Sequence, residues 1–167
     1  MRNLYNYTFD EVTTTYNFTT NNNILYRIAF IVDQTLDTIS SAEHPIENIY
    51  QIVIEKISED VEPYDRLVGK TVEHIITGFF LNIKNALIYV CSDDNDKGSL
   101  RFSVFDRWYQ NSTYKQYIVK TDNVINITFE EITTKLYTSL LYHRDNQDIQ
   151  YALETYNRLE EVLNNDK

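Results

Sequence analysis

Hydrophobic and polar residues alternate along the first third of the chain, and this alternation predicts β-strands. The segment TYNFTT is followed by NNN and then by ILYRIAFIV, a spacing typical of a β-hairpin. Residues 21–23, all Asn, fit its turn because Asn adopts left-handed backbone conformations readily. In the later segment ENIYQIVIEKI, Tyr50, Ile52 and Ile54 lie on one face of a third predicted strand. We therefore expect an antiparallel sheet with one wet face.

A different period begins after Pro63. Between residues 64 and 85 the apolar positions are spaced by three and four, which predicts an amphipathic helix. These positions are Leu67, Val68, Val72, Ile75, Ile76, Phe79, Phe80 and Ile83. The next segment, ALIYV, is a short continuous apolar run, which is typical of a strand buried on both faces.

The second half of the chain predicts two more helices and two more strands. A helix is expected from about Ser99 to Gln110, then the strands KQYIVKT and KLYTSLLYH, and a closing helix from Asp148. The predicted order is roughly βββαβαββα. We interpret residues 1–167 as one α+β domain, with a mixed, largely antiparallel sheet and about three helices.

The loop CSDDNDKG, residues 91–98, follows the buried run and is the first candidate site. A calcium loop needs acidic or amide residues at positions one, three and five, glycine at six and glutamate at twelve. With Gly98 at position six, Lys97 falls at five and Val104 at twelve. A cation in the coordination shell and the missing bidentate ligand exclude this kind of calcium site.

Magnesium is harder to exclude at the same loop. Mg²⁺ needs only one or two carboxylates, and ligands commonly bind beyond the carboxyl ends of sheet strands. Asp93 and Asp94 are the candidate metal ligands, with Asp96 nearby and Arg101 placed to meet a substrate phosphate. The chain has no glycine-rich loop that would cradle phosphates, which weakens this alternative.

A structural interpretation of the loop explains more of its residues. Asp94 or Asp96 can cap the following helix, because a carboxylate accepts hydrogen bonds from the free N–H groups of the first turn. Arg101, in the first turns of that helix, is expected to pair with one of the loop carboxylates. On this interpretation the loop is a connection, while Asp93, Asp94, Asp96 and Arg101 stay tentative binding residues.

Two pairs on the predicted helices are further candidates for binding. Arg107 and Trp108 combine a guanidinium with the single tryptophan, a combination typical of binding hot spots, although a core tryptophan beside a surface charge is the commoner case. Arg66 and Lys70 are four residues apart on one helical face and would suit an anion, although a solvated face balanced by acidic neighbours is favoured.

Charge and composition narrow the function further. The formal net charge is −10, which argues against general nucleic-acid binding and favours a basic protein partner. One cysteine allows no internal disulfide, and we find no signal peptide and no apolar run of membrane-spanning length. We therefore predict a cytoplasmic protein with no membrane association, and no cofactor motif is found.

The sequence resembles an uncharacterised family of small bacterial proteins, a domain of unknown function. The resemblance rests on a helix with paired phenylalanines, a strand reaching a cysteine and acidic residues, and an arginine followed by an F-x-x-W segment. The matching residues are Phe79, Phe80, Cys91, Asp93, Asp94, Arg101, Phe105 and Trp108. The resemblance implies a single-domain bacterial protein and transfers no activity.

The sequence therefore leaves two functional hypotheses. The first is a non-catalytic acidic module that docks on a basic partner protein, as antitoxins and immunity proteins do. The alternative is a small metal-assisted enzyme that acts on a phosphorylated or nucleotide substrate at residues 91–98. A strand-rich domain must also cover its sheet edges, and homodimerisation through an edge is one way to do so.

Overall fold

Within the part of the chain that the structure describes, seven strands form one sheet. The structure is a computed structural model and describes residues 3–40, 43–61, 63–93 and 96–165. The strands are β1 Tyr7–Asp10, β2 Thr15–Thr19, β3 Leu25–Val32, β4 Ile49–Lys56, β5 Ala86–Ser92, β6 Ile118–Phe129 and β7 Ile132–His143. Their spatial order is β1-β2-β3-β4-β5-β7-β6, and every neighbouring pair is antiparallel except β4 and β5.

Among the described residues, five α-helices cover the sheet. They are α1 Thr35–Ile39, α2 Arg66–Phe79, α3 Gly98–Asn111, α4 Gln150–Asn157 and α5 Leu159–Asn165, with a 3₁₀ turn at Tyr114–Gln116. Apolar residues of α2 and α3 pack on one face of the sheet, and those of α1, α4 and α5 pack on the other. Among the described helices, none is long and apolar enough to cross a membrane.

The α+β class and the largely antiparallel sheet are confirmed, but the predicted number and order of elements were wrong. The four-residue β1 and the five-residue α1 were missed because neither is long enough to show a period. The predicted closing helix is two helices, since the chain breaks at Arg158 between α4 and α5.

The end of α2 also differs from the prediction. The apolar spacing extends to Ile83, yet α2 ends at Phe79, and the chain turns over the next residues. The side-chain amide of Asn85 donates to the carbonyl of Phe79 at 2.9 Å, which satisfies one of the free carbonyl groups at the helix end. Ile83 is consequently 45% exposed rather than part of the buried stripe.

The buried strand β5 lies at the centre of the molecule, as its continuous apolar run predicts. Leu87, Tyr89 and Cys91 point to the α2–α3 side, and Ala86 and Ile88 point to the α1–α4–α5 side. These five residues are each less than 8% exposed.

The parallel ladder between β4 and β5 is short. It joins residues 49–51 of β4 to residues 86–88 of β5, although both strands continue for several residues beyond it. Phe105 and Trp108 of α3 lie beside Tyr89 and Ile52 where the ladder ends. The aromatic residues of α3 therefore fill the space over the gap in the sheet.

A buried lysine attaches α3 to the sheet. The side chain of Lys120 on β6 is only 3% exposed, and its ammonium lies 3.0 Å from Asp106 of α3 and 2.5 Å from Asp122 of β6. The ring of Phe102 lies 5.0 Å from the same nitrogen. Two carboxylates and an aromatic face thus compensate for the loss of water around this charge.

A candidate anion-binding groove between two helices

The first wall of the candidate site is the start of α2. Asp65 caps this helix by accepting from the backbone N–H of Leu67 at 2.8 Å, and its second oxygen accepts from the hydroxyl of Tyr5 at 2.5 Å. The Asp65 carboxylate is therefore used in the fold. Arg66 and Lys70 follow it and are one helical turn apart.

The second wall is the C-terminal half of α3, which carries Arg107 and Trp108. Gly69 of α2 faces the indole: a Cβ atom at Gly69 would lie 3.6 Å from Trp108 Nε1, an ordinary van der Waals distance. Phe105 supports the indole from the core side in an edge-on contact, with ring centroids 5.7 Å apart. Trp108 is thus held at a fixed position between the helices.

The two walls enclose a cavity of about 450 Å³. Its lining includes Arg66, Lys70, Glu73, Arg107, Trp108 and Tyr114. A second cavity of about 220 Å³ is lined partly by the same groove residues, including Arg107 and Trp108. We call the larger cavity the α2–α3 groove, and its size lies within the usual range for small-molecule pockets.

Burial differs systematically across the groove. Tyr114 at its base is 4% exposed, Lys70 and Trp108 are half-buried, and both arginines are exposed. Tyr64, at the entrance, is 84% exposed. The arginines therefore form the rim, and the rings of Trp108 and Tyr114 form the apolar interior.

Glu73 is the acidic residue of the groove, and its charge is already compensated. One of its oxygens lies 2.7 Å from the ammonium of Lys70, and the other accepts from the backbone N–H of Thr113 at 2.7 Å and its hydroxyl at 3.1 Å. Burial acts to raise the pKa of Glu73, but these hydrogen bonds outweigh it and the pKa is lowered overall. Glu73 is therefore an anion at neutral pH.

Unlike Lys70, the two rim arginines have no carboxylate among the described residues that compensates their charge. Within the described part of the chain, the ion pairs include neither Arg66 nor Arg107. As far as the described residues show, both guanidinium groups are thus available to an external anion. Burial raises the pKa of Tyr114, so its hydroxyl is neutral and offers a hydrogen bond rather than a charge.

The structure brings some of the predicted binding residues together and separates others. Arg107 and Trp108 line the α2–α3 groove, where they meet the Arg66 and Lys70 pair from the other helix. Asp93, Asp96 and Arg101 are not part of its lining. Asp94 and Asn95 lie outside the described residues, so the predictions for Asp94 as a binding residue, metal ligand or cap lie there too.

Asp93, rather than Asp96, accepts a hydrogen bond at the start of α3. Its Oδ1 atom receives the backbone N–H of Gly98 at 3.2 Å, and its carbonyl receives the N–H of Asp96 at 3.1 Å. Asp96 has a left-handed backbone with φ of 56°. Asp93 thus has the role of stabilising the turn into α3 that we predicted for its neighbours.

The other predicted features of this loop receive little support from the described residues. Asp93 and Asp96 are in no ion pair with Arg101 in that part of the chain. The described histidines, cysteine and carboxylates contain no group of three or more that would hold a metal ion. Cys91 is 4% exposed, and its burial raises the pKa of the thiol despite the nearby charge of Arg101, so the sulfur stays protonated.

Several groove residues carry no signal in the sequence. Glu73, Asn111 and Tyr114 were not predicted, because nothing in their spacing distinguishes them from other helical surface and core positions. Gly69 carries no signal in the sequence either, because it is an isolated glycine within the predicted helix. Its role becomes visible once α3 packs against it.

Fold and groove together define a class, an α+β domain with a cationic groove between two helices on one face of its sheet. Comparison with family models then identifies the chain. Residues 64–158, more than half of the sequence, match the Family of unknown function (DUF6169). The protein belongs to this family, which confirms the predicted resemblance to a domain of unknown function. The matched segment contains both walls of the groove.

We also compared the chain with curated proteins and with solved structures. No curated protein matches the sequence. Among solved structures, the chain is similar to one described as "Crystal structure of a putative phosphinothricin N-acetyltransferase", with 13% sequence identity and a TM-score of 0.43. The similarity covers 78% of this chain and 72% of that one. A likeness at this level carries no argument about function.

Proposed function

We propose that this protein is a binding module whose α2–α3 groove holds a small ligand that combines an anionic group with a flat apolar part. The observation that carries the proposal is the convergence of Arg66 and Arg107, from facing helices, beside the indole of Trp108. Guanidinium groups donate bidentate hydrogen bonds to carboxylates and phosphates, and an indole offers a flat apolar surface.

The charge distribution of the molecule supports an anionic ligand. With a net charge of −10, most of the surface repels anions. The rim, with its two available arginines, is a local region that attracts anions instead. Lys70 adds little, because Glu73 already compensates its charge at 2.7 Å. Binding of the anion therefore depends mainly on the two arginines.

Trp108 allows a direct test because it is the only tryptophan of the chain. Three probes separate the two parts of the expected ligand: inorganic phosphate, phenol and phenyl phosphate. We expect phenyl phosphate to change the fluorescence of Trp108 saturably and at the lowest concentration. Phosphate alone and phenol alone should bind more weakly, since each satisfies only one part of the groove.

Variants then assign the binding to named residues. Arg66→Ala and Arg107→Ala should each weaken phenyl phosphate binding by about tenfold or more, as expected for a charge-assisted hydrogen bond of about 1.5–3 kcal/mol. Arg158→Ala, at the junction of α4 and α5, is the matched control and should bind like the parent. Equal binding by the parent and both rim variants would contradict the proposal.

Arg101→Ala separates the groove from the loop. If Arg101→Ala weakens binding and the two rim variants do not, the anion binds at residues 91–98 instead. The hypotheses of a basic protein partner and of metal-assisted chemistry at Asp93 and Asp94 stay predictions. A cytoplasmic location also stays a prediction, based on the composition of the chain.

A further inference from the structure

Strand β6 lies at one edge of the sheet, and side chains of α5 cover its outer side. An outermost strand presents backbone N–H and C=O groups to which another strand can pair. Here the amide of Asn164 donates to the carbonyl of Asn126 at 2.9 Å and accepts from the N–H of Thr128 at 3.2 Å. Glu160 accepts from the N–H of Asn126 at 3.2 Å.

The geometry at Asn164 reproduces strand pairing. In a parallel ladder, one residue donates to the carbonyl of residue i−1 and accepts from the N–H of residue i+1 of its neighbour. The Asn164 side chain makes this pair of bonds around Ile127 of β6. A single amide therefore occupies the edge in the way that an eighth strand would.

The covering helix is a separable element. It has only seven residues and is divided from α4 at Arg158, and an isolated helix of this length is not stable in water. Leu159, 4% exposed, and the partly buried Leu163 hold it on the core. Release of α5 would leave the rest of the sheet in place and expose the β6 edge.

We propose that α5 is a removable cover of the β6 edge, and that the partner which replaces it is the β6 strand of a second copy of this chain. The sequence of β6 permits antiparallel self-pairing in a register centred on Val124. In this register Asp122 lies opposite Asn126 and Lys120 lies opposite Thr128, so like charges are not opposed.

Neighbouring registers are less favourable. A register centred on Asp122 places two copies of this carboxylate opposite each other, and one centred on Asn126 places Asp122 opposite Glu130. The self-pairing of β6 is therefore specific enough to be tested at one residue. At Val124 the two Cα atoms of such a pair would be about 5.5 Å apart, a separation that a disulfide can span.

The test uses the full chain with Val124→Cys in a Cys91→Ala background, where one engineered thiol reports the pairing. Under mild oxidation, E160A/N164A should increase the cross-linked dimer about tenfold over the parent, equivalent to about 1.4 kcal/mol in the opening of α5. Light scattering should show the dimer without oxidation as well. Val12→Cys in the same background, 93% exposed in the β1–β2 turn, is the matched control and should show no such increase.

A folded E160A/N164A chain that stays monomeric and cross-links no better than the parent would overturn the proposal. If E160A/N164A fails to fold by circular dichroism, Asn164→Asp decides. This change keeps the acceptor for Thr128 but places a carboxylate against the carbonyl of Asn126. It should also raise the dimer fraction, and a monomer with unchanged cross-linking would likewise overturn the proposal.

Discussion

At the residue scale, Gly98 determines how the chain leaves β5 and enters α3. A Cβ atom at Gly98 would lie 2.6 Å from the carbonyl oxygen of Ser92 and 2.9 Å from the Cα atom of Asp93. Both atoms belong to the backbone, so they cannot move aside as a flexible side chain would. The start of α3 therefore requires glycine for a close approach.

Gly98→Ala should consequently destabilise the protein by about 1–3 kcal/mol, the usual cost of forcing atoms into a packed site. Gly78→Ala is the matched control, because no atom outside its own stretch of α2 lies within 4 Å of its Cβ position. That change should stabilise the protein by about 0.5–1 kcal/mol through the helix propensity of alanine. Urea unfolding of both variants checks this, and two equal effects would contradict the close-approach argument.

Residue types alone explain part of the candidate site. The pairs Arg66 with Lys70 and Arg107 with Trp108 could each be found from spacing along one helix. Their convergence could not, because it depends on the packing of α3 against Gly69. The loop at residues 91–98 shows the same limit: several carboxylates could cap α3, and among the described ones Asp93 accepts from the backbone N–H of Gly98 at 3.2 Å.

At the element scale, the β6–β7 hairpin shows where periodicity fails. Each strand has twelve residues, yet the predicted strand KQYIVKT overlaps β6 only at its last four residues, and its first two residues lie in the 3₁₀ turn Tyr114–Gln116. The predicted strand KLYTSLLYH matches the last nine residues of β7. The turn between them consists of Glu130 and Glu131, with φ of 46° and 69°. Tight hairpin turns of this conformation favour Asn-Gly, so this sequence contains no turn signal at the place where the chain reverses.

The same turn offers a prediction about stability. Left-handed backbone conformations cost about 1–2 kcal/mol for an ordinary residue and little for Asn or Gly. E130N/E131G should therefore stabilise the protein by about 1–2 kcal/mol in urea unfolding. E130Q/E131Q removes the same two charges but keeps a side chain of the same size at both positions. It is therefore the control for the change in net charge. A gain of equal size in both variants would show that charge, and not backbone conformation, is responsible.

At the scale of the whole molecule, Glu73 connects the candidate groove to the fold. It joins Lys70 on its own helix to Thr113, which lies between α3 and the 3₁₀ turn, forty residues away in sequence. The residue that neutralises Lys70 in the groove therefore also fixes the distance between the two walls. If the groove binds the proposed ligand, we expect stability and ligand binding to be coupled through this carboxylate.

Glu73→Gln should lower the stability of the protein by about 1–3 kcal/mol near neutral pH, since charged hydrogen bonds are replaced by weaker ones. The pKa of Glu73 is lowered in the folded protein, so its contribution is complete above the pKa of the unfolded chain and is lost as the pH falls through the folded value. The difference between the parent and Glu73→Gln should thus shrink below about pH 4.

The same variant should affect the groove in the opposite direction. With Glu73 uncharged, Lys70 becomes a third available cation, so phenyl phosphate should bind more tightly to Glu73→Gln than to the parent at neutral pH, while the protein itself is less stable. Glu43→Gln, an exposed position, removes one charge without touching either wall and should change neither property. Urea unfolding across pH and titration of Trp108 fluorescence measure the two effects. If the stability difference between the parent and Glu73→Gln stays constant from neutral to acidic pH, Glu73 acts through its shape and not its charge. If phenyl phosphate binds more weakly to Glu73→Gln than to the parent, the spacing of the helices matters more than the charge of Lys70.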